Sequence, residues 1–298
     1  MQKEAIRQDE PLPDLIESKA PEKLADGFRF TEGPIWNAQG YLLFSDIPAS
    51  KIYKWSERGG PEVWRDPSGN SNGLTLDRNG RLIACEHGNR RVSRTETDGE
   101  VITLADRFQG KRLNSPNDVV VRRDGMVFFT DPPYGIKESE RELGFNGVYA
   151  LPPDESDKSG AEPRLLVKDF NRPNGLAFSP GEKTLYVNDT SERVIRVFDV
   201  AADGTLSNDH VFANMASPVK QGGPDGMKVD REGNVYCTGP GAVWIFRRDG
   251  QLLGRIVLPE LAANLAFGDS DARSLYLTAR TSLYRVRVKV PGIGPAFQ

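Results

Sequence analysis

NGLTLDRNGRLIACE (72–86) and NDVVVRRDGMVFFTD (117–131) are two copies of one pattern, and this pattern decides the fold. Each copy starts with a polar residue, runs through a short apolar strand, turns at a polar tetrapeptide and leaves through a second strand. Asp, Asn and Gly at the turns suit tight β-hairpins, and the flanks alternate apolar with polar residues. The further copies are EGPIWNAQGYLLFSD (32–46), NGLAFSPGEKTLYVND (174–189), DGMKVDREGNVYCTG (225–239) and ANLAFGDSDARSLYLTA (263–279).

The copies recur at the spacing of propeller blades. They begin at residues 32, 72, 117, 174, 225 and 263, and a period of about 40–50 residues with several strands per unit is typical of β-propellers. The last copy ends at SLYRVRVKV (282–290) with only three strands, while KLADGFRF (23–30) precedes the first copy without a partner. We therefore predict an all-β, six-bladed β-propeller whose ring is closed by an N-terminal strand in the last blade, because closure protects the edge strand. The predicted domain spans 23–298 and follows an N-terminal extension, 1–22.

The composition excludes several classes of protein. Lys and Arg number 39 and Asp and Glu 42, so the net charge of −3 argues against nucleic-acid or membrane partners. Cys85 and Cys237 are too few for a disulfide framework, and we expect both to be buried. His87 and His210 are too few for a histidine-rich zinc site. No apolar leader or membrane-spanning run is visible. We expect a cytoplasmic protein (periplasmic if a leader was removed) that is a monomer or weak homodimer.

Most copies open with a residue that carries a side-chain oxygen. Equivalent positions in a propeller are related by rotation about the central axis, so these side chains are expected to meet in the central tunnel. In the sixth copy the apolar register places Ala263 at this position and sends Asn264 to the opposite side of the strand. The alternative is that Asn and Asp at these places merely cap the turns that lead into the strands. The opening residues are Glu32, Asn72, Asn117, Asn174 and Asp225.

A ring of two carboxylates and several amides suits a hard divalent cation. Glu32 and Asp225 alone in a narrow tunnel would repel each other, and one of them would hold a proton. A divalent cation removes this conflict, and oxygen ligands without Cys or His favour Ca²⁺. Zn²⁺, Mn²⁺ and Mg²⁺ also accept carboxylates, so the sequence predicts one divalent cation with Ca²⁺ ranked first.

Several motifs, in the same order along the chain, resemble the gluconolactonase branch of the SMP-30/gluconolactonase/regucalcin-like family. The resemblance covers about residues 25 to 290 and implies a six-bladed propeller with one divalent cation in the tunnel that hydrolyses sugar lactones. It implies Glu32, Asn174 and Asp225 as metal ligands, and it places Asn117 at a position that contacts substrate or metal. The regucalcin pattern has an arginine two residues before Asn117, where this chain has Ser115. The motifs are TEGPIW (31–36), LNSPNDVVV (113–121), TDPPYG (130–135), RPNGLAFSP (172–180), GPDGMKVD (223–230) and GPGAVWIF (239–246).

Further candidate residues lie where the second strand of each hairpin ends, because an antiparallel strand returns to the face where its partner begins. His87, Asp131 and Tyr134 are predicted to contact substrate together with Asn117. His87 is a candidate proton shuttle or sugar contact, with a structural role as the equal alternative. The TDPPYG loop (130–135) is the candidate to take over from the missing arginine, and Tyr134 within it either forms a rim against the sugar or braces the loop. Less specific candidates are Asp46, Glu86, Asn188, Asp189 and Arg280.

The resemblance and the ring together predict a metal-dependent lactonase that opens D-glucono-1,5-lactone. Asp225 is the predicted catalytic residue, either as the general base for a water molecule or by direct attack on the carbonyl. Asp225→Ala is predicted to abolish hydrolysis, and Asn72→Ala is predicted to matter much less. Two alternatives remain open: a metal-dependent hydrolase of other lactones or phosphotriesters, and a non-catalytic propeller that binds another protein.

Overall fold

The computed structural model describes residues 15–153, 158–219 and 221–294, and within these ranges the chain is built almost entirely of β-strands. A short 3-10 helix (Glu138–Glu140) lies in the loop after β13. In chain order the strands are β1 (Glu22–Asp26), β2 (Thr31–Asn37), β3 (Tyr41–Asp46), β4 (Lys51–Ser56), β5 (Gly60–Arg65), β6 (Ser71–Leu76), β7 (Leu82–Glu86), β8 (Arg91–Thr95), β9 (Val101–Ala105), β10 (Arg107–Phe108), β11 (Lys111–Arg112), β12 (Val119–Val121), β13 (Val127–Asp131), β14 (Asn146–Leu151), β15 (Arg164–Phe170), β16 (Pro173–Phe178), β17 (Thr184–Asp189), β18 (Val194–Val200), β19 (Leu206–Asn214), β20 (Met227–Val229), β21 (Val235–Gly239), β22 (Ala242–Phe246), β23 (Leu252–Ile256), β24 (Ala262–Gly268), β25 (Ser274–Ala279) and β26 (Ser282–Arg287).

Among the described residues 24 of these strands form six antiparallel sheets of four strands each, which are the blades of a six-bladed β-propeller, and β10 and β11 form a separate two-stranded hairpin. Blade 1 contains β2–β5, blade 2 β6–β9, blade 3 β12–β15, blade 4 β16–β19 and blade 5 β20–β23. Blade 6 has the order β1-β26-β25-β24, so the N-terminal strand supplies its outer edge. The predicted fold and its closure by the N-terminal strand are both confirmed.

The hairpin turns explain why the repeats were visible in the sequence. In DRNG (77–80) the Asp77 carboxylate accepts hydrogen bonds from the Asn79 and Arg81 backbone N–H groups at 2.8 and 2.9 Å. Gly80 has φ +74, a conformation that glycine adopts without strain. Asp230 repeats this arrangement in DREG (230–233). The side chain of the first turn residue therefore satisfies the backbone that the tight turn exposes.

Apolar side chains fill the spaces between neighbouring blades. Ile83 and Val92 of blade 2, for example, pack in one cluster with Phe129 and Tyr149 of blade 3. Cys85 lies in the same cluster, and Cys237 lies in the cluster between blades 4 and 5. Both cysteines are buried and unpaired, as expected. No helix in the described parts of the chain is long and apolar enough to cross a bilayer.

The N-terminal segment joins the two ends of the ring. Asp26 pairs with Ser282 and Glu22 with Arg285 across β1 and β26. Upstream of β1, Leu15 and Ile16 are buried in the cluster between blades 5 and 6. This part of the predicted extension therefore packs against the propeller, while residues 1–14 lie outside the described ranges.

Phe28→Ala is expected to lower the free energy of unfolding by about 3 kcal/mol or more, because Phe28 anchors the closing segment. Its ring meets those of Phe44 and Tyr53 in blade 1 at 5.0 and 4.9 Å between centroids. Urea unfolding provides the measurement. Val63→Ala, at an exposed position of β5, is the control and should cost less than about 1 kcal/mol. Equal losses in both variants would contradict this anchoring role.

The innermost strands approach one another closely at one level of the tunnel. Gly73 donates its backbone N–H to the Asn117 carbonyl at 2.8 Å, and Gly226 donates to the Ala263 carbonyl at the same distance. A Cβ on Gly33 would lie 1.9 Å from the Asn72 carbonyl oxygen. Strand packing therefore requires glycine after the opening residue in blades 1, 2, 4 and 5, which explains the recurring EG, NG and DG dipeptides, whereas Asp118 and Asn264 stand there in blades 3 and 6.

Candidate active site in the central tunnel

The opening residues of the repeats come together at this level of the tunnel. Asn72 Nδ2 donates to Asn117 Oδ1 at 2.7 Å, and Asn117 Nδ2 donates to Asn174 Oδ1 at 2.5 Å. Glu32 is buried with these amides, whereas Asp225 keeps partial exposure. Because the side chains meet one another, they do more than cap the turns that lead into their strands. We call Glu32, Asn72, Asn117, Asn174 and Asp225 the tunnel ring.

The two carboxylates of the tunnel ring lack a strong counter-charge. Burial, together with the charge of Asp118, raises the pKa of Glu32 to about 7. Burial also raises the pKa of Asp225 well above its ordinary value, and the charge of Glu32 adds to this effect. The charge of Lys228 opposes the rise at Glu32, but its ammonium group donates to the Met227 carbonyl at 3.0 Å. The ring is therefore an anionic site that favours a cation.

Glu32→Gln is expected to stabilise the chelator-treated protein at pH 8, by up to about 3 kcal/mol. Between pH 4.5 and about 7 folded Glu32 holds a proton that the unfolded chain has lost, so its contribution to stability falls as the pH rises through this window. Glutamine mimics the protonated form, so the gain should be much smaller at pH 5. Urea unfolding at both pH values measures this difference. Glu62→Gln, at an exposed site, should show no such pH dependence; a Glu32→Gln gain that is equal at both pH values would contradict the assignment.

The side chains of Asp118 and Asn264 lie next to the tunnel ring and contact each other. Asn264 Nδ2 donates to Glu32 Oε2 at 3.0 Å, and a Cβ on Gly226 would lie 2.1 Å from Asn264 Oδ1. The Ala263 carbonyl accepts the Gly226 N–H as the Asn117 carbonyl accepts the Gly73 N–H, so Asn264 has the position where other copies have glycine, as expected. The side of the strand to which Asn264 points stays a prediction. The pairing register of β24 shifts between Ala262 and Asn264, as it does at the same point of β2, β6 and β16.

His87 reaches the tunnel ring from the end of β7. Its Nε2 lies 3.2 Å from Asn117 Oδ1 and 3.3 Å from Asn72 Nδ2. Burial lowers the pKa of His87 to about 4, so the imidazole is neutral at pH 7. A neutral imidazole in this position orients the Asn117 amide, and because its pKa is low it accepts a proton poorly at pH 7. The geometry favours a positioning role over a proton shuttle, and a substrate contact by His87 stays a prediction.

Tyr134 and Thr190 flank Asn174 at the side of the ring. Asn174 Nδ2 lies 3.1 Å from Thr190 Oγ1 and 3.5 Å from the Tyr134 hydroxyl. Burial raises the pKa of Tyr134 to about 12, which keeps the phenol protonated. Thr190 in turn donates to the Pro224 carbonyl at 2.7 Å. Thr190 was not among the predicted site residues, although it directly follows the candidate Asp189.

Asp131 does not reach the tunnel ring. Its two carboxylate oxygens accept the backbone N–H groups of Asn114 and Ser115 at 2.8 and 2.7 Å. Burial raises its pKa to about 7. These bonds hold the turn before Asn117, and the substrate role of Asp131 stays a prediction.

The less specific candidates at the strand ends also have structural partners. Asp46 and Asp189 hold the turns of blades 1 and 4 by accepting backbone N–H groups, as Asp131 does in blade 3. Glu86 forms ion pairs with Arg65 and Arg91.

Asn188 Nδ2 donates to the Asp225 carbonyl at 2.5 Å and thereby holds the backbone of a ring residue. Arg280 is exposed, and its carbonyl accepts the Thr31 N–H.

The donor set of the ring fits one hard divalent cation. Glu32, Asn174 and Asp225 offer carboxylate and amide oxygens, which Ca²⁺ prefers. Burial raises the pKa of both carboxylates, the charges of Asp118 and Glu32 add to this effect, and a dication held by these groups would favour their ionised forms. Asn117 is hydrogen-bonded to Asn174 and is a fourth oxygen donor within the same ring.

Comparisons with known proteins agree with this fold. The family model described as SMP-30/Gluconolactonase/LRE-like region matches residues 30–281. A gluconolactonase from Zymomonas mobilis is 33% identical over 309 aligned positions, which cover 94% of this chain and 85% of that protein. The solved structure of a gluconolactonase from Xanthomonas campestris has a TM-score of 0.84 at 38% identity and covers 96% of this chain and 94% of that chain. Regucalcin from Agrobacterium tumefaciens shares the fold with a TM-score of 0.77 at 20% identity, over 93% of this chain and 96% of that one. The chain therefore belongs to the SMP-30/gluconolactonase/LRE-like family.

Proposed function

We propose that the protein is a lactonase that hydrolyses a sugar lactone, D-glucono-1,5-lactone, to the aldonic acid in a reaction that needs one divalent cation. The observation that carries this proposal is the tunnel ring, in which two carboxylates with raised pKa values meet three amides. A propeller that only binds other proteins does not need acidic side chains at its centre, whereas a metal-dependent hydrolase needs them to hold its cation. The gluconolactonases that are 33% and 38% identical to this chain support the choice of substrate.

Glu32, Asn174 and Asp225 would hold the cation, with Asn117 as a further oxygen donor or a substrate contact. Ca²⁺ is the proposed ion, since the ligands are oxygens alone. When bound, the cation supplies Lewis-acid stabilisation of the negative charge that develops on the lactone carbonyl oxygen. Glu32 maintains negative charge in the ring, and its orientation is set by hydrogen bonds from Gly33 N–H and Asn264 Nδ2.

Asp225 is the proposed general base. It is partly exposed, so water can reach it, and its backbone is held by Asn188 and Thr238. The carboxylate takes a proton from the attacking water as the water oxygen bonds to the carbonyl carbon. The bond from that carbon to the ring oxygen then breaks, and the ring oxygen receives the proton and becomes a hydroxyl group. The new carboxylic acid loses its own proton to solvent at neutral pH.

The test of this function is acid release from D-glucono-1,5-lactone, with spontaneous hydrolysis subtracted. Activity should disappear in EDTA and return when Ca²⁺, Mn²⁺ or Zn²⁺ is added back. Circular dichroism would verify that the treated protein is folded. Absence of hydrolysis with every ion, from folded protein, would reject this substrate and favour other lactones, phosphotriesters or a binding role. Full activity in EDTA would reject the cation.

A further inference from the structure

The loop TDPPYG (130–135) occupies the space next to Ser115, the position where the regucalcin pattern has an arginine. Gly135 donates its N–H to Ser115 Oγ at 3.0 Å. A Cβ on Gly135 would lie 2.4 Å from Ser115 Oγ and 2.7 Å from His87 Cβ. The loop is therefore pressed against two fully or nearly buried side chains, and an arginine at 115 would have to displace it.

This packing places the Tyr134 ring at the edge of the tunnel ring. The hydroxyl lies 3.5 Å from Asn174 Nδ2, and the charge of Asp225 contributes to the raised pKa of Tyr134. The side chain nevertheless keeps 37% of its surface exposed. Tyr134 thus has its polar end at the ring and part of its surface open to solvent, where a bound molecule can contact it.

Arg172 lies against the other side of this tyrosine. Its guanidinium carbon is 5.6 Å from the centre of the Tyr134 ring, within the range of a cation–π interaction. The side chain is exposed, and none of the described carboxylates forms an ion pair with it, although Asp189 holds its backbone N–H. Arg172 stands two residues before Asn174, as Ser115 stands two residues before Asn117. Blade 3 therefore lacks a positively charged side chain at this position, and blade 4 has one, Arg172.

We propose that Tyr134 and Arg172 form a clamp at the rim of the tunnel ring that selects polyhydroxylated lactones over unsubstituted ones. The guanidinium offers up to five N–H donors to hydroxyl oxygens of the substrate, and the tyrosine offers a flat apolar face and a phenol. An unsubstituted lactone has no hydroxyl groups for these donors. This inference rests on the proposed lactonase function and names the residues that determine its specificity.

The experiment compares kcat/KM for D-glucono-1,5-lactone and for δ-valerolactone, which has the same six-membered lactone ring without hydroxyl groups. Arg172→Gln should lower kcat/KM for the sugar lactone about tenfold, mainly through KM, and change δ-valerolactone less than twofold. Arg58→Gln, an exposed arginine on the outer part of blade 1, should change neither. If Arg172→Gln lowers kcat/KM equally for both lactones, or for neither of them, the proposed clamp is overturned.

A second pair of variants tests the position of Tyr134 without altering Arg172. Gly135→Ala should reduce the preference for the sugar lactone, because the added Cβ pushes the loop away from Ser115 and His87. Gly144→Ala in the same connection meets nothing within 4 Å and should leave the preference unchanged. If both variants behave like wild type, Tyr134 does not set the preference and the clamp is overturned.

Calorimetric binding of D-gluconate separates this inference from the function on which it rests. Arg172→Gln should weaken gluconate binding about tenfold, a result that needs no turnover. Wild-type protein that hydrolyses both lactones, with unchanged gluconate affinity in Arg172→Gln, would overturn the clamp and leave the lactonase function standing. Wild-type protein that hydrolyses neither lactone and binds no gluconate would overturn both.

Discussion

Asp225→Asn should lower kcat for lactone hydrolysis at least about 10³-fold at saturating cation, and Asp225→Ala should abolish it. General acid–base catalysis contributes about 10²–10⁴-fold, and asparagine keeps an oxygen donor while losing the ability to accept a proton. Steady-state acid release at several cation concentrations is the measurement, because it distinguishes weaker binding of the cation from loss of the general base.

Two other ring variants serve as controls for Asp225. Asn72→Ala should lower kcat less than about tenfold, since among the described residues its side chain bonds to Asn117 and His87. Glu32→Gln also removes one negative charge, yet at saturating cation it should retain more kcat than Asp225→Asn. A loss in Asn72→Ala as large as that in Asp225→Asn would contradict this ranking of the ring.

Isotope labelling decides between Asp225 as base and Asp225 as nucleophile. In a single turnover in ¹⁸O-water, base catalysis places ¹⁸O in the gluconate that is formed first. Direct attack by Asp225 instead forms a mixed anhydride, and water that attacks the Asp225 carbonyl carbon of this anhydride transfers an unlabelled carboxylate oxygen to the first product and leaves ¹⁸O in the protein. Mass spectrometry of product and protein locates the label, and label in Asp225 would contradict the proposed base.

Saturating Ca²⁺ should raise the melting temperature of the chelator-treated protein by about 6 °C. A ligand at about 1,000 times its Kd adds about 4 kcal/mol to the free energy of unfolding, and an unfolding entropy of about 2.1 cal/mol/K per residue corresponds to about 1.6 °C per kcal/mol for 298 residues. The rise should be largest at neutral pH and above, because protons compete with the cation for Glu32, whose pKa is raised to about 7. Thermal unfolding at a series of Ca²⁺ concentrations measures the effect.

Glu32→Gln should weaken this cation binding at least about 100-fold. Changes to groups that only orient a metal ligand cost about 10–100-fold in affinity, and this variant removes the charge of a ligand itself. Asn72→Ala is the matched control and should bind the cation within a few-fold of wild type. Calorimetric titration measures both affinities, and a Glu32→Gln variant that binds Ca²⁺ like wild type would exclude Glu32 as a ligand.

The fold was predictable because the residues that form each hairpin turn lie within the repeat itself. Turns such as DRNG (77–80) have side chains that bond the local backbone, so their signal does not depend on distant parts of the chain. Counting strands then showed that the last blade lacked one, and the unpaired segment near residue 23 was the available partner. The tunnel ring followed from rotational symmetry, since equivalent residues of equivalent strands must face the same axis.

Contacts between neighbouring blades were not predictable in the same way. Asn264 has the position where other copies have glycine, but its hydrogen bond to Glu32 joins blade 6 to blade 1 and leaves no mark within a single repeat. Asp131 was predicted at the site because its strand ends there, but its carboxylate turns to the backbone of Asn114 and Ser115. Sequence position alone does not show which partner a buried carboxylate will satisfy.

By itself the sequence determined the six-bladed fold, its closure by the N-terminal strand and the oxygen-rich opening residues of the repeats, because local turns and repetition encode all three. Only the tertiary structure decided that Asp118 and Asn264 lie beside the ring, that His87 contacts Asn117, and that Tyr134 meets Arg172. These contacts join residues from different blades. Their geometry depends on packing between blades and loops that a single repeat does not contain.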